Sequence, residues 1–486
     1  MKRFLGFAAL ALGLLLAVCL VRVALLPPPA APGVPGSPVE VDADGAVQRL
    51  AAALRIPTIS HEDRARIDAA AFAALAAHLR QSFPRVHAGL ALEPVGDSLL
   101  YTWTGRDAAG PPMLLTAHLD VVPVEPGTEG QWTHPPFSGA VVDGYLWGRG
   151  ARDDKSSVLA LLEAAELLLA AGYQPPRTVY LAFGHDEEIG GQQGARRIAA
   201  LLQSRGVRAE FLLDEGSAVL QGLVAGITRP VASINAAEKG YLTVKLTTRQ
   251  EGGHSSRPPA QTAVGRLARA VARVQDAPLP ARLERPVTDM FDRLAPEMGL
   301  GQRLALANRW LFGPLLLRTF GRDPTTNALI RTTTAPTVFR AGVKDNVLPA
   351  EATALINFRL LPGDSIEDVL EHVRRAVDDP AVEIGPGSDF NSEASAPATL
   401  DSAAFRLLER TALETWPDAV VSTGLVIGAT DARHYAGVYE ARYNFSPSVI
   451  TAADLTAIHG TNERIAVDNY LDMIRFYVRL LRNWAA

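Results

Sequence analysis

Cysteine is nearly absent: Cys19 is the one example in 486 residues, so no intramolecular disulfide can form, and its place in an apolar N-terminal segment gives no sign of redox chemistry. Basic charge is not in excess either. Lys and Arg number 47 against 52 Asp and Glu, and a formal net charge of −5 argues against a nucleic-acid surface. No solenoid-type internal repeat is visible. Histidines are only 10, so those placed among acidic residues stand out. What is abundant is apolar material: 48% hydrophobic and 20% charged residues can build a large core and, at this length, more than one domain.

The stretch Trp147-Gly-Arg-Gly-Ala-Arg-Asp153-Asp154-Lys155 organises the rest. Its glycines permit a sharp strand-to-helix turn, and a helix expected over 156–171 has its positive dipole end at the two carboxylates. Acidic residues at helix starts are common, so this turn alone decides nothing. Three other apolar runs also end in polar clusters: Met113 to His118-Leu-Asp120, Thr178 to His185-Asp186-Glu187-Glu188, and Phe211 to Asp214-Glu215-Gly216. Apolar runs separated by helical periodicity read as parallel strands covered on both faces, and such sheets bind ligands beyond the carboxyl ends of their strands. So much negative charge in one crevice calls for a cation. His, Asp and Glu are the nitrogen and oxygen ligands of divalent transition metals, zinc above all, and the lack of nearby cysteine excludes a thiolate structural site.

Five motifs in order, His118-x-Asp120, Gly148-Arg-Gly-x-x-Asp153-Asp-Lys155, Asp186-Glu187-Glu188, Asp214 and Ile458-His459-Gly-Thr-Asn462-Glu463, resemble the series of the dinuclear-zinc aminoacylase, desuccinylase and carboxypeptidase family, from about Val41 onward. The resemblance implies two zinc ions, with cobalt or manganese as alternatives. Asp153 would bridge them, His118 and Asp214 completing one site and Glu188 and His459 the other. Asp214 departs from the glutamate of many relatives. Asp120 would fix the His118 tautomer, and Glu187 would be the general base and acid. His254, in Gly252-Gly-His254-Ser-Ser, resembles the histidine that donates to the developing oxyanion, from its own chain or across a dimer. Asn346 and Arg359 match lid positions that grip substrate, the loop Gly428-Ala-Thr430-Asp431-Ala-Arg433-His434 resembles the glycine-rich loop lining the substrate side or else is a simple turn before a strand, and Asn357, where many relatives have aspartate, moves the chain toward the carboxypeptidase S-like and fatty-acyl-amino-acid hydrolase branch. Lys155 is read either as a holder of carboxylates or as helix surface.

In chain order, Lys2-Arg3 and the apolar run Phe4 to Val21 make residues 1–26 a signal anchor, or else a cleaved signal peptide, with the remainder on the non-cytoplasmic side or secreted. Residues 27–40 are a proline-rich linker. The expected fold is α/β: a catalytic domain over 41–230 and 394–486 with a mainly parallel sheet and helices on both faces, and an inserted two-layer lid over 231–393. The lid pattern is strand-helix-strand-strand-helix-strand, with an extra helical stretch over 283–322. Within it, Trp310 to Leu317 reads first as core and second as a shelter for a greasy acyl chain. The loop around Trp132 and Phe137 reads as a wall of the site.

The expected activity is hydrolysis of the amide bond of an N-acyl amino acid or short peptide bearing a free carboxylate. An aminopeptidase or dipeptidase is the rival enzyme, and a peptide-capture protein without turnover the rival from another class. Expected partners are a small substrate, a membrane through the N-terminal helix, and a second copy through the lid.

Overall fold

The computed structural model describes residues 2–388 and 390–484. Helix α1 (Lys2–Ala24) leads into an extended segment that lies along the body, with the Gly33 amide donating to the Pro417 carbonyl at 2.7 Å and Gly36 to Glu414 at 3.0 Å. Helices α2 (Ala43–Leu54) and α3 (Ala69–Ser82) follow, capped by Asp42 and Asp68, whose carboxylates accept first-turn amides. Next come β1 (Ala91–Val95), β2 (Ser98–Trp103), β3 (Met113–His118), β4 (Tyr145–Trp147), α4 (Lys155–Ala170), β5 (Val179–Gly184), α5 (Ala195–Ser204) and β6 (Ala209–Asp214). Gly172 and Gly206 end α4 and α5 with positive φ, +69° in each case, as glycine after a helix should.

The lid begins with β7 (Gly240–Arg249) and the short β8 (Gly253–His254), then α6 (Ala263–Asp276). The extra helical stretch resolves into α7 (Val287–Leu294), α8 (Leu300–Ala307) and α9 (Arg309–Phe320), with one further short helix, Pro324–Ile330, beyond the expected limit. Strands β9 (Thr333–Ala341), β10 (Val347–Leu348) and β11 (Glu351–Leu360), helix α10 (Ile366–Val377) and β12 (Val382–Pro386) complete it. The lid sheet is antiparallel in the order β9-β11-β7-β12. Along β11 the residues Ala352, Ala354, Ile356, Phe358 and Leu360 are buried and their neighbours are not. That period of two lays one face against α6 and α10, each large apolar side chain contributing roughly 1.5–3 kcal/mol.

Back in the first unit are α11 (Ala403–Thr415), β13 (Tyr439–Asn444), β14 (Arg464–Ala466) and α12 (Val467–Asn483). The central sheet runs β1-β2-β5-β3-β6-β13; β5, β3, β6 and β13 are mutually parallel, and the β1–β2 hairpin adds an antiparallel edge. One face packs on α4 and α12 and the other on α5. The inserted-lid architecture therefore holds. The crossing point differs from expectation: Val231–Ser233 still pairs in parallel with Val420–Ser422 in the catalytic unit, so the chain leaves at Glu238 to Gly240. It returns beside itself, the Ser395 and Ala398 amides donating to the carbonyls of Glu238 and Ala236.

The insert α7–α9 touches more than the lid. Leu294 and Met290 pack with Val231 and Val420 of the catalytic unit. The Trp310 to Leu317 run is not core: of its large side chains only Leu316 is buried, while Trp310 and Leu315 are 58% and 56% exposed.

Candidate active site

Three neighbouring strands of the parallel set, β3, β5 and β6, each deliver one part of a single cluster. His118 ends β3, Glu187 and Glu188 follow β5, and Glu215 follows β6. The glycine turn after β4 supplies Asp153, with Gly150 at φ +84° and no room there for a side chain, since a Cβ would meet Val121 at 2.6 Å. His459 comes from the far C-terminal part of the chain and takes a left-handed backbone, φ +59°.

Asp153 lies at the centre. Its Oδ1 is 2.8 Å from His118 Nε2 and its Oδ2 is 3.0 Å from His459 Nε2. His118 Nε2 is also 3.4 Å from Glu215 Oε1, and His459 Nε2 is 3.2 Å from Glu188 Oε2. One carboxylate thus faces two half-sites, His118 with Glu215 and His459 with Glu188. The ring of His118 is oriented from behind: Nδ1 sits 3.0 Å from the Asp120 main-chain oxygen and 3.3 Å from Asp120 Oδ1. With Nδ1–H donated there, neutral His118 presents the Nε2 lone pair to carboxylate oxygens that also carry only lone pairs. A proton or a cation must sit between them. Glu188 Oε1 is buried without a partner, a second sign of a missing positive charge. The donor set of imidazole and carboxylate with no thiolate suits a divalent transition metal. Two sets of ligand atoms lie within 4.8 Å of one another, His118 with Asp153 and Glu188, and His118 with Asp154 and Glu215, so these residues can hold a metal ion.

Asp214, expected as the ligand, is turned away. Leu212 and Asp214 share the β6 face that packs on α5 and Ala432, and Asp214 Oδ2 accepts the Ala432 amide at 2.8 Å. Alternation along a strand sends the next residue, Glu215, to the other side. Asp120 does more than hold His118. Its two oxygens accept the amides of Glu187 at 3.1 Å and Glu188 at 3.2 Å, fixing the turn that carries both acids.

The electrostatics follow from burial and crowding. Burial, then the charge of Asp431, raises the Glu187 carboxyl well above the ordinary range, against the pull of His118. Burial and Asp153 push Glu188 to about 7, and the same two causes push Glu215 to about 7. Hydrogen bonds to Asp153 and Glu188 raise His459 to about 10. The cluster is a field that attracts cations.

Surrounding residues brace it. Arg149 is buried and donates to Glu463 Oε2 at 2.7 Å and to the carbonyls of His459 and Gly460. Glu463 Oε1 accepts the Arg152 amide at 2.9 Å, and β14 pairs with β4, so the His459 loop is locked to the glycine turn. Asn462, also left-handed at φ +63°, accepts the Thr133 amide and donates to the Gln131 carbonyl, which ties the Trp132 loop to His459. Lys155 is neither a holder of carboxylates nor surface. It is buried, donates to the Ala53 and Ile56 carbonyls at the end of α2, and is lowered to about 7 by burial. Asp186 accepts the Gln193 and Gly194 amides and an Arg64 N–H.

The substrate-gripping set divides. Asn346 is half-buried with Oδ1 unpartnered, and Arg359 lies over the Tyr241 ring at 4.6 Å with Nη1 buried and unpartnered. Gly428 is exposed with open space around it. Thr430 and Asp431 are different: both are buried, Thr430 donating to Glu238 at 2.8 Å and Asp431 wedged against Gly184 and Gly191, where a Cβ would fall 2.5 and 2.1 Å from its oxygens. They support the wall and do not line it. Arg433, in the same loop, has its guanidinium over Phe390 at 4.5 Å and its Nε unpartnered. His254 is exposed on β8, accepts the Ser256 amide, and makes no contact with the cluster among the described residues.

Known proteins resemble this chain. Residues 114–483 match the family described as Peptidase family M20/M25/M40. The Probable carboxypeptidase S-like 2 of Dictyostelium discoideum is 42% identical over 90% of this chain and 84% of its own length. The N-fatty-acyl-amino acid synthase/hydrolase PM20D1 of Mus musculus is 40% identical over 90% and 87%. Among solved structures, the M20 family metallo-carboxypeptidase Sso-CP2 from Sulfolobus solfataricus superposes with a TM-score of 0.66 at 19% identity, covering 90% of this chain and 99% of that one.

Proposed function

The chain belongs to peptidase family M20/M25/M40, and from that membership we propose a dizinc hydrolase that cleaves the amide bond of N-acyl amino acids, or of short peptides, bearing a free carboxylate. The observation carrying this reading is the sharing of the Asp153 carboxylate between His118 and His459. His118 and Glu215 would hold one ion, Glu188 and His459 the other, with Asp153 common to both. When bound, the pair supplies Lewis-acid chemistry at the scissile amide. Glu187, held by Asp120 through its amide and raised by burial, is poised to take a proton from the attacking water and return it to the leaving nitrogen.

Arg359 and Arg433 supply the cationic side. Burial first, and then the charge of Arg433, lower Arg359, while Tyr241, Glu238 and Glu187 act the other way. Two planar forks with unpartnered nitrogens suit a substrate carboxylate better than point charges do. The likeness to the mouse N-fatty-acyl-amino acid synthase/hydrolase supports a fatty acyl chain on the other side of the amide. The exposed edge strand β9 and the exposed His254 support a homodimer through the lid in which His254 serves the partner's site. Helix α1 is apolar enough to cross a bilayer, which supports an anchor with the hydrolase on the non-cytoplasmic side.

The test is cleavage of paired substrates, acid and carboxamide, by the zinc-loaded protein. Acids should be cut and amides spared, and Arg359→Lys should weaken the acid by roughly 1–3 kcal/mol in kcat/KM. Equal cleavage of both would replace this reading with an aminopeptidase.

A further inference from the structure

Among the described residues, nothing covers the outer face of α9. Trp310, Leu311, Pro314 and Leu315, two adjacent pairs about one turn apart, fall on one side of the helix and are all exposed. An exposed apolar strip on a helix needs an occupant, and the rest of the fold says which one.

Helix α1 is not free along its whole length. Its first turns are bare, Phe4 and Phe7 being more than two-thirds exposed, but Cys19 and Val23 are buried against α8. Asn308, between α8 and α9, is buried and donates Nδ2 to the Cys19 carbonyl at 3.1 Å, and Arg22 Nε donates to the Ala307 carbonyl at 2.9 Å. The apolar run Phe4 to Val21 therefore ends at the α8–α9 junction. Those 18 residues give a rise of about 27 Å, slightly short of the roughly 30 Å hydrocarbon core. With the anchor inserted, the junction is drawn down to the bilayer boundary, and α9 starts there.

Charge and composition fit that level. From Met298 to Arg322 there are four arginines, Arg303, Arg309, Arg318 and Arg322, and no acidic residue, in a chain of net charge −5. Arg318 and Arg322 are exposed. An exposed tryptophan and leucines flanked by arginines are the composition of a helix lying in an anionic membrane interface, with the aromatic ring at headgroup depth.

We propose that α9 is a second, in-plane membrane contact, its Trp310–Leu315 face buried at the headgroup and acyl boundary of an anionic phospholipid bilayer, so that the lid insert rests on the membrane. The inference rests on the reading of α1 as an anchor. It is tested in the full chain, in a Cys19→Ala background, with a fluorophore placed in separate proteins by Phe7→Cys, Leu315→Cys or Val343→Cys, the last position being 97% exposed on the lid. Each is reconstituted in vesicles of phosphatidylcholine and phosphatidylglycerol that carry nitroxide lipids at shallow or deep positions.

The expected result is quenching by lipid nitroxide without iodide access at position 7, shallow quenching at 315 exceeding deep quenching by at least about twofold, and quenching at 343 by aqueous iodide only. Quenching at 7 with iodide access at 315 overturns the inference and leaves the anchor standing. Protection of 315 from both lipid nitroxide and iodide would mean that a second copy covers the face, which also overturns it. Absence of lipid quenching at 7 and 315 alike removes the anchor and the inference together.

Discussion

Arg149 and Glu463 form a buried ion pair at 2.7 Å between segments 314 residues apart, and the same guanidinium holds the carbonyls of His459 and Gly460. Removing one partner leaves the other charge buried and uncompensated. Glu463→Ala should therefore cost about 3–5 kcal/mol in denaturant unfolding and weaken metal binding through the displaced His459, as a metal titration would record.

Asp153 belongs to both half-sites. Asp153→Ala should reduce bound metal from about two ions to none, the two being lost together. Elemental analysis of the purified variant decides this, and one tightly held ion surviving the substitution would sink the bridging role.

Asp214 and Glu215 are neighbours with opposite expected effects. Glu215→Ala should weaken metal binding by lengthening the His118 half-site, while Asp214→Asn should leave metal content intact and lower stability through the contact with the Ala432 amide. Loss of metal in Asp214→Asn with retention in Glu215→Ala would reverse the assignment.

Glu187→Gln keeps the shape of the side chain and removes the proton acceptor. Turnover should fall by at least about a hundredfold with metal retained. Steady-state kinetics beside metal analysis separates this from a ligand defect, and unchanged turnover would take Glu187 out of the reaction.

Lys239, at the crossing into the lid, is buried and donates Nζ to the Ala328 and Arg331 carbonyls; burial, then Arg359, lowers it to about 7. Its folded value lies below that of the unfolded chain, so from about pH 7 to 10 the unfolded state binds more protons and stability rises with pH. Lys239→Met should flatten that rise in thermal melts taken across the interval. An unchanged slope would mean the ammonium is solvated.

Much of this was legible from residue order. Polar clusters after apolar runs picked out His118, Asp153, Glu188 and Glu187, which the fold brings to one crevice because parallel strands aim their ends there. The strand-helix-strand-strand-helix-strand order of the lid was equally readable. Glu215, which the fold sets 3.4 Å from His118, was not singled out, although strand parity from Leu212 separates it from Asp214. Lys155 was opaque because its partners, two carbonyls at the end of α2, carry no side-chain signature. Trp310 to Leu317 was read as core because a sequence of apolar residues does not say which solvent it meets. Thr430 and Asp431 looked like substrate contacts, yet small residues at 184 and 191 left room for Asp431 to sink behind the wall.

The distribution of the cluster along the chain also has a bearing on how the protein is made. His118, Asp153, Glu188 and Glu215 all precede the lid, and His459 follows it. A nascent chain can thus display one half-site while the other still waits for the lid and most of the second catalytic segment to emerge. On the proposed two-ion reading, activity would be withheld until synthesis is nearly finished, and a chain halted anywhere within the lid would hold only one of the two half-sites.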